Sequence, residues 1–177
     1  TAFAGDVPRP SATSSAVSRS IAWKACGARL ECARVQVPLD WDRPLGRTIS
    51  LKVIRHLASR PEQRRGSLFI NPGGPGDTGV GLVEGAGDDL DAWGGGRFDV
   101  VSWDPRGTNA STQVRCFRND EDASRFWRGV SIPTSTAQEI AFRRKTADLA
   151  RRCGDVSGWL LPHITTADTA RDLDYLR

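Results

Sequence analysis

Apolar positions along the chain change period from one segment to the next. In "CARVQVPLDW", residues 32–41, and "TISLKVIRHLA", residues 48–58, β-branched and other apolar residues alternate with polar ones. That period of two places the apolar set on one face of an extended strand. Pro44 and Gly46 break the pattern between them, so the two segments are predicted to form an antiparallel strand pair joined by a turn. Ser67 to Ile70 is instead a continuous run, suited to a short strand covered on both faces, and Asn71-Pro72 ends it. "GVGLVEGAGDDLDAWGGG" is Gly-rich and reads as weakly helical at best. Phe98 to Trp103 forms a second apolar run that stops at Asp104-Pro105. Two buried runs separated by a non-strand crossover predict a parallel pair in an α/β sheet.

Past Cys116 the period becomes helical. Thr136 and Glu139 have capping-box spacing, and Phe142, Thr146, Leu149 and Cys153 make a stripe expected to face the core before Gly154 ends the helix. Thr165 and Asp168 open a further helix with Ala170, Leu173 and Leu176 on one face. No glycine, asparagine or proline closes it before Arg177, so a continuation is expected. There are no internal repeats.

Composition narrows the class. The 177 residues, 38% hydrophobic, suit one domain with a real core. Residues 1–20 are small, polar and Pro/Ser-containing and read as a flexible tail exposed by processing, leaving 21–177 as the domain. No stretch approaches the roughly 20 apolar residues of a membrane span. The formal charge of +4 comes from 22 arginines and 3 lysines scattered among acidic clusters such as Asp88, Asp89, Asp91 and Asp120, Glu121, Asp122. That describes a solvated surface and not a nucleic-acid patch.

The four cysteines, Cys26, Cys32, Cys116 and Cys153, lack metal-ligand spacing, and with only two histidines zinc fits poorly. Three disulfide pairings are open. The local one, Cys26 with Cys32 and Cys116 with Cys153, closes both loops within plausible elements, for about 2 and about 4 kcal/mol of chain-entropy stabilisation. An even set of pairable cysteines argues for an oxidising compartment.

The chemistry-bearing stretch is "NPGGPG", residues 71–76. Gly73, Gly74 and Gly76 permit positive φ and present bare N–H groups, and Pro75 stiffens the bend. Such a loop either turns or touches something. It lacks the Gly-Lys-Ser/Thr ending of a phosphate-binding loop and the spacing of a dinucleotide fingerprint, so nucleotide binding is not expected.

Together with "DPRGTNAST" at 104–112, this loop resembles those of the α/β-hydrolase family of proline iminopeptidases and secreted tripeptidyl aminopeptidases. Their signatures are a His-Gly-Gly-Pro-Gly-like loop and an Asp-x-Arg-Gly-x-Gly-x-Ser loop. "CARVQVPLDW", the paired cysteines and "TTADTARDLDYLR" are similar to the secreted branch, so the resemblance runs from about Trp23 to Arg177. It implies the N-terminal part of an α/β-hydrolase fold: a mostly parallel sheet with an antiparallel N-terminal strand pair and flanking helices, completed by a C-terminal portion. It also implies that Gly74 donates its backbone N–H to an oxyanion hole, with Gly73 and Gly76 shaping the turn and Asn71 and Pro75 framing it. Asp104 and Arg106, followed by Gly107, are expected to hold the two loops together by charge-assisted hydrogen bonds. Two departures are visible: Pro72 stands where many relatives carry histidine, and Asn109 replaces a customary glycine, which asparagine's tolerance of left-handed φ accommodates.

The nucleophile is another matter. No serine here lies in Gly-x-Ser-x-Gly, and the family order places serine, acid and histidine beyond these residues. His56 and His163 are therefore expected to be structural, and the Asn109-Ala110-Ser111 sequon coincidental. The resemblance implies the N-terminal chain of a secreted serine aminopeptidase, inactive alone, whose partner is the remainder carrying the triad and the cap. No cofactor or metal is expected. An esterase or lactone hydrolase on the same scaffold, or a non-catalytic secreted binding module, are the alternatives.

Overall fold

The computed structural model describes residues 20–74 and 76–177. The tail read over residues 1–20 lies, Ser20 apart, outside them, and so does Pro75. Strand β1 (Lys24–Gly27) hairpins into β2 (Leu30–Pro38), which pairs antiparallel with β3 (Thr48–His56) from Leu30 opposite His56 to Pro38 opposite Thr48. The alternation read in these two segments is thus one hairpin in a single register. Beyond it lie β4 (Gly66–Phe69) and β5 (Phe98–Trp103), which pair parallel as expected, with the 15-residue helix α1 (Gly79–Trp93) as their crossover.

The sheet order is β1-β2-β3-β5-β4, and β3 meets β5 antiparallel. Only the β4–β5 pairing is parallel, so this portion is a mixed sheet and not the mostly parallel one expected. The reason is topological: three strands arrive before the first helical crossover, and only such a crossover makes neighbours parallel. The run at Ser67 to Ile70 is likewise not covered on both faces. Strand β4 sits at the sheet edge, with Ser67 and Leu68 exposed.

Period-two alternation sorts the core into two layers. Val37, Ile49, Leu51, Val53, Val101 and Trp103 face one side, where Leu160 and Leu176 cover them. Cys32, Ile54 and Val100 face the other, against Val80, Val83 and Leu90 of α1. Helix α1 is far more regular than its composition suggested, with a single non-helical residue at Ala86. Tertiary packing overrides the low propensity of its glycines. A Cβ at Gly79 would run into Ser102 Oγ and the Trp103 carbonyl, and one at Gly87 would stand 2.6 Å from the His56 ring. Small residues there let the helix lie close on the sheet.

The remaining helices are α2 (Asp120–Trp127), α3 (Thr136–Ser157) and α4 (Thr166–Leu176). Helix α3 starts one residue before the expected box: Ser135 is the cap, accepting from the Gln138 N–H, and Thr136 is the first helical residue. It runs through Gly154 to Ser157, its one buried residue. The stripe expected to face the core does not, because Phe142 and Thr146 are exposed and Leu149 and Cys153 only half-buried. Of the stripe, Cys153 is tied to Cys116, and beside the stripe Lys145 and Arg152 lie over the rings of α2 and its lead-in, Phe126 and Phe117. Helix α4 opens on Thr165 as expected, with its hydroxyl 2.7 Å from Asp168 Oδ2, but its buried face carries Asp172 and Leu176 while Ala170 is exposed.

Both local disulfides are present. Cys26–Cys32 ties β1 to β2, and Cys116–Cys153 ties the lead into α2 to α3. Among the described residues no helix is long and apolar enough to cross a membrane.

Candidate active site

Strands β4 and β5 run parallel, so the loops that follow them emerge side by side at one end of the sheet. The first bends through left-handed backbone at Gly73, Gly74 and Gly76, with φ of +89°, +116° and +99°. A residue with a Cβ resists those angles, which is why this bend needs glycine. Asn71 Oδ1 accepts the Gly73 N–H at 3.1 Å and pins the start of the bend. Among the described residues, no acceptor claims the Gly74 N–H. Thr78 ends the loop and caps α1, accepting from the Gly81 N–H at 3.0 Å.

The second loop is knitted from inside. Asp104 is 1% exposed. Its Oδ1 accepts from the Thr78 hydroxyl at 2.7 Å and the Val80 N–H at 3.3 Å, and its Oδ2 from the Ala110 N–H at 3.0 Å. Ser111 donates its hydroxyl to the Asp104 carbonyl at 2.6 Å and accepts from the Lys52 N–H. Asn109 adopts φ of +44°, as its side chain allows, and its Nδ2 donates to the Gly76 carbonyl at 2.9 Å. Gly107, at φ +86°, passes so close to Ile164 that a Cβ would stand 2.8 Å from its Cδ1.

Asp104 therefore bonds to the Thr78 end of the first loop, whereas Arg106 does not. Its guanidinium turns away from the glycine bend to Asp172 of α4, reaching Oδ2 at 2.7 Å through Nε and Oδ1 at 2.6 Å through Nη2. Neither side chain has exposed surface. The physical reason is that both carboxyls are buried, and Asp104 is already met by the Thr78 hydroxyl and two backbone N–H groups, whereas Asp172 takes its bonds from Arg106 and Trp41. Burial pushes the Asp172 carboxyl above the usual carboxylate range, and the Arg106 bonds and the Trp41 indole N–H, 3.1 Å from Oδ1, pull against it.

Asn71, Gly73, Gly74, Gly76 and Arg106 line a groove of about 460 Å³. Ile164, Thr165, Thr166 and Thr169 form its opposite wall at the start of α4. Asp104 stands behind the groove, and none of the four cysteines lines it. Neither histidine does either: His56 is buried with Nε2 3.2 Å from Asp88, and His163 gives its carbonyl to Arg106. Among the described residues no three His, Cys, Asp or Glu side chains gather where they could hold a metal ion. The groove thus offers main-chain N–H and hydroxyl walls, with no nucleophile and base among its described lining. Sequence reading missed Thr78 and Asp172. The Thr-Gly-x-Gly start of α1 carried a capping signal for the first, while nothing in "TARDLDYL" separates a buried aspartate from a surface one.

No protein-family model matches the chain. It is 34% identical over 176 residues to a tripeptidyl aminopeptidase of Streptomyces lividans, covering 94% of the chain and 32% of that relative. It is 35% identical over 147 residues to the serine protease Hip1 of Mycobacterium tuberculosis, and 37% identical over 150 residues to a carboxylesterase B of the same species, each covering 82% of the chain and 28% of the relative. The chain spans about a third of the length of these relatives.

Proposed function

Since the chain belongs to the α/β-hydrolase family of proline iminopeptidases and tripeptidyl aminopeptidases, we propose that it forms the N-terminal, oxyanion-loop portion of an extracytoplasmic serine aminopeptidase. In this reading the enzyme releases single residues or short peptides from substrate N-termini. The observation that carries it is the glycine bend: three left-handed residues line a groove and leave the Gly74 N–H without an acceptor among the described residues. An N–H held in place before charge develops stabilises a tetrahedral intermediate at no cost of reorganisation. Gly74 is the donor, Gly73 and Gly76 set the bend, and Asn71 fixes its start. The serine, its acid and its histidine come from the rest of the protein, together with the cap that selects substrate. The free edge of β4 receives the strand that carries the serine. The two disulfides support an oxidising location.

An esterase is the second reading, favoured by the carboxylesterase among the relatives, because the same bend serves any acyl transfer. Fluorophosphonate labelling of the full-length protein tests both. The label is expected on a serine beyond residue 177, and a label within residues 1–177 overturns the assignment. Turnover of a tripeptidyl anilide against a short acyl ester then separates peptidase from esterase. Gly74→Ala is expected to lower kcat by about 100-fold, the usual loss for one oxyanion donor. At φ +116° its Cβ would stand 2.9 Å from the Asp77 nitrogen, so the bend must shift.

A further inference from the structure

We infer that Arg106 and Asp172 are positioning residues that fix the separation between the glycine bend and the start of α4, the two walls of the groove. The inference rests on reading that groove as the active site. A guanidinium has five N–H donors in a planar fork. Here all five are engaged: Nε and Nη2 on Asp172, Nη2 also on the Pro38 carbonyl at 3.0 Å, and Nη1 on the Leu39 and His163 carbonyls at 2.9 and 3.1 Å. One side chain thereby joins the end of β2, the turn leading to the Thr165 cap, and α4 itself. Two residues earlier, Asp104 holds Thr78 and Val80, where the glycine bend runs into α1. The bend and α4 are thus held by two polar clusters, Asp104 with the start of α1 and Arg106 with Asp172, joined through the backbone of the one residue between Asp104 and Arg106.

Stability alone does not call for this arrangement, since a buried ion pair is commonly matched or bettered by apolar residues of the same volume. What apolar packing lacks is direction. A fork bound at five points has one orientation, so α4 can neither slide nor roll against the loop. A displacement of about 1 Å in catalytic groups can cost on the order of 100-fold in rate. Trp41 braces the pair from one side through its indole N–H on Asp172 Oδ1.

The test uses the full-length enzyme, with Asp172→Asn and Trp41→Phe each measured per fluorophosphonate-titrated site. Asp172→Asn keeps the shape of the side chain and loses the charge, and Trp41→Phe loses one hydrogen bond. Per-site kcat is expected to fall about 10-fold or more in Asp172→Asn and about threefold in Trp41→Phe, with KM changing less than threefold in both. If per-site kcat stays at the wild-type value while only the number of titratable sites or the Tm drops, the pair is structural and the inference is wrong. Should Asp172→Asn fail to fold, Trp41→Phe decides by the same criterion. Absence of label on the wild-type enzyme would instead sink the reading of the groove itself.

Discussion

The loop after β4 and the loop after β5 leave neighbouring parallel strands at the same end of the sheet, yet they are built in opposite ways. Residues 71–74 and 76–78 are exposed and hold their shape by backbone conformation, with Asn71 supplying a local side-chain bond. Residues 104–112 bury Asp104, Arg106 and Ser111, and those three side chains bond to five other parts of the chain. Buried polar groups must be paired, and a paired network tolerates little movement. One loop is scaffold and the other is presented by it. On the proposed reading the bend faces a reacting atom and cannot also be filled with side chains, so its rigidity is borrowed from the loop beside it.

Removing the scaffold should have the largest effect. In Asp104→Ala the Thr78 hydroxyl and the Val80 and Ala110 N–H groups lose the buried carboxylate that accepts from all three. At about 1 kcal/mol for each of the three bonds lost, and more for the buried Val80 N–H, the loss should be about 3 kcal/mol. A urea midpoint measured against wild type reads it directly. A shift under 1 kcal/mol would show that Asp104 is not what holds the bend.

Substitution in the presented loop should cost less stability. Gly73 has φ of +89° and nothing within 4 Å of an added Cβ, so Gly73→Ala meets only the left-handed penalty, about 1–2 kcal/mol. The same urea experiment should place it well inside the Asp104→Ala shift. Equal shifts for the two variants would erase the distinction between the loops.

How much of this was legible beforehand follows the range of the interactions involved. The β2–β3 hairpin, the parallel pair and the cap at Thr165 are written in local periodicity and turn chemistry, and all were found. Glycines at 73, 74 and 76 announce left-handed backbone because few other residues adopt it. The partner of Arg106 was not legible, since Asp172 lies 66 positions away and only folding makes one aspartate of that helix the buried one. Helix α1 was underestimated for the same reason: its glycines lower propensity locally and are needed only once the sheet lies beneath them.

The smallest expected effect lies at the Asn109 amide's bond to the Gly76 carbonyl, which links the two loops at their outer ends. Asn109→Gly keeps the left-handed backbone at φ +44° and removes only that bond, worth about 1 kcal/mol. Asn109→Ala removes the bond and adds the left-handed penalty, so it should destabilise by a further 1 kcal/mol or so. Urea unfolding reads the totals, and hydrogen exchange of the amides at 76–78 reads where they act. If the bend borrows its rigidity from the loop beside it, those amides exchange faster in both variants while the amides of β5 do not change. Unchanged exchange at 76–78 would mean that the bend is stiff through its own backbone, and that the contact at Asn109 follows from its shape.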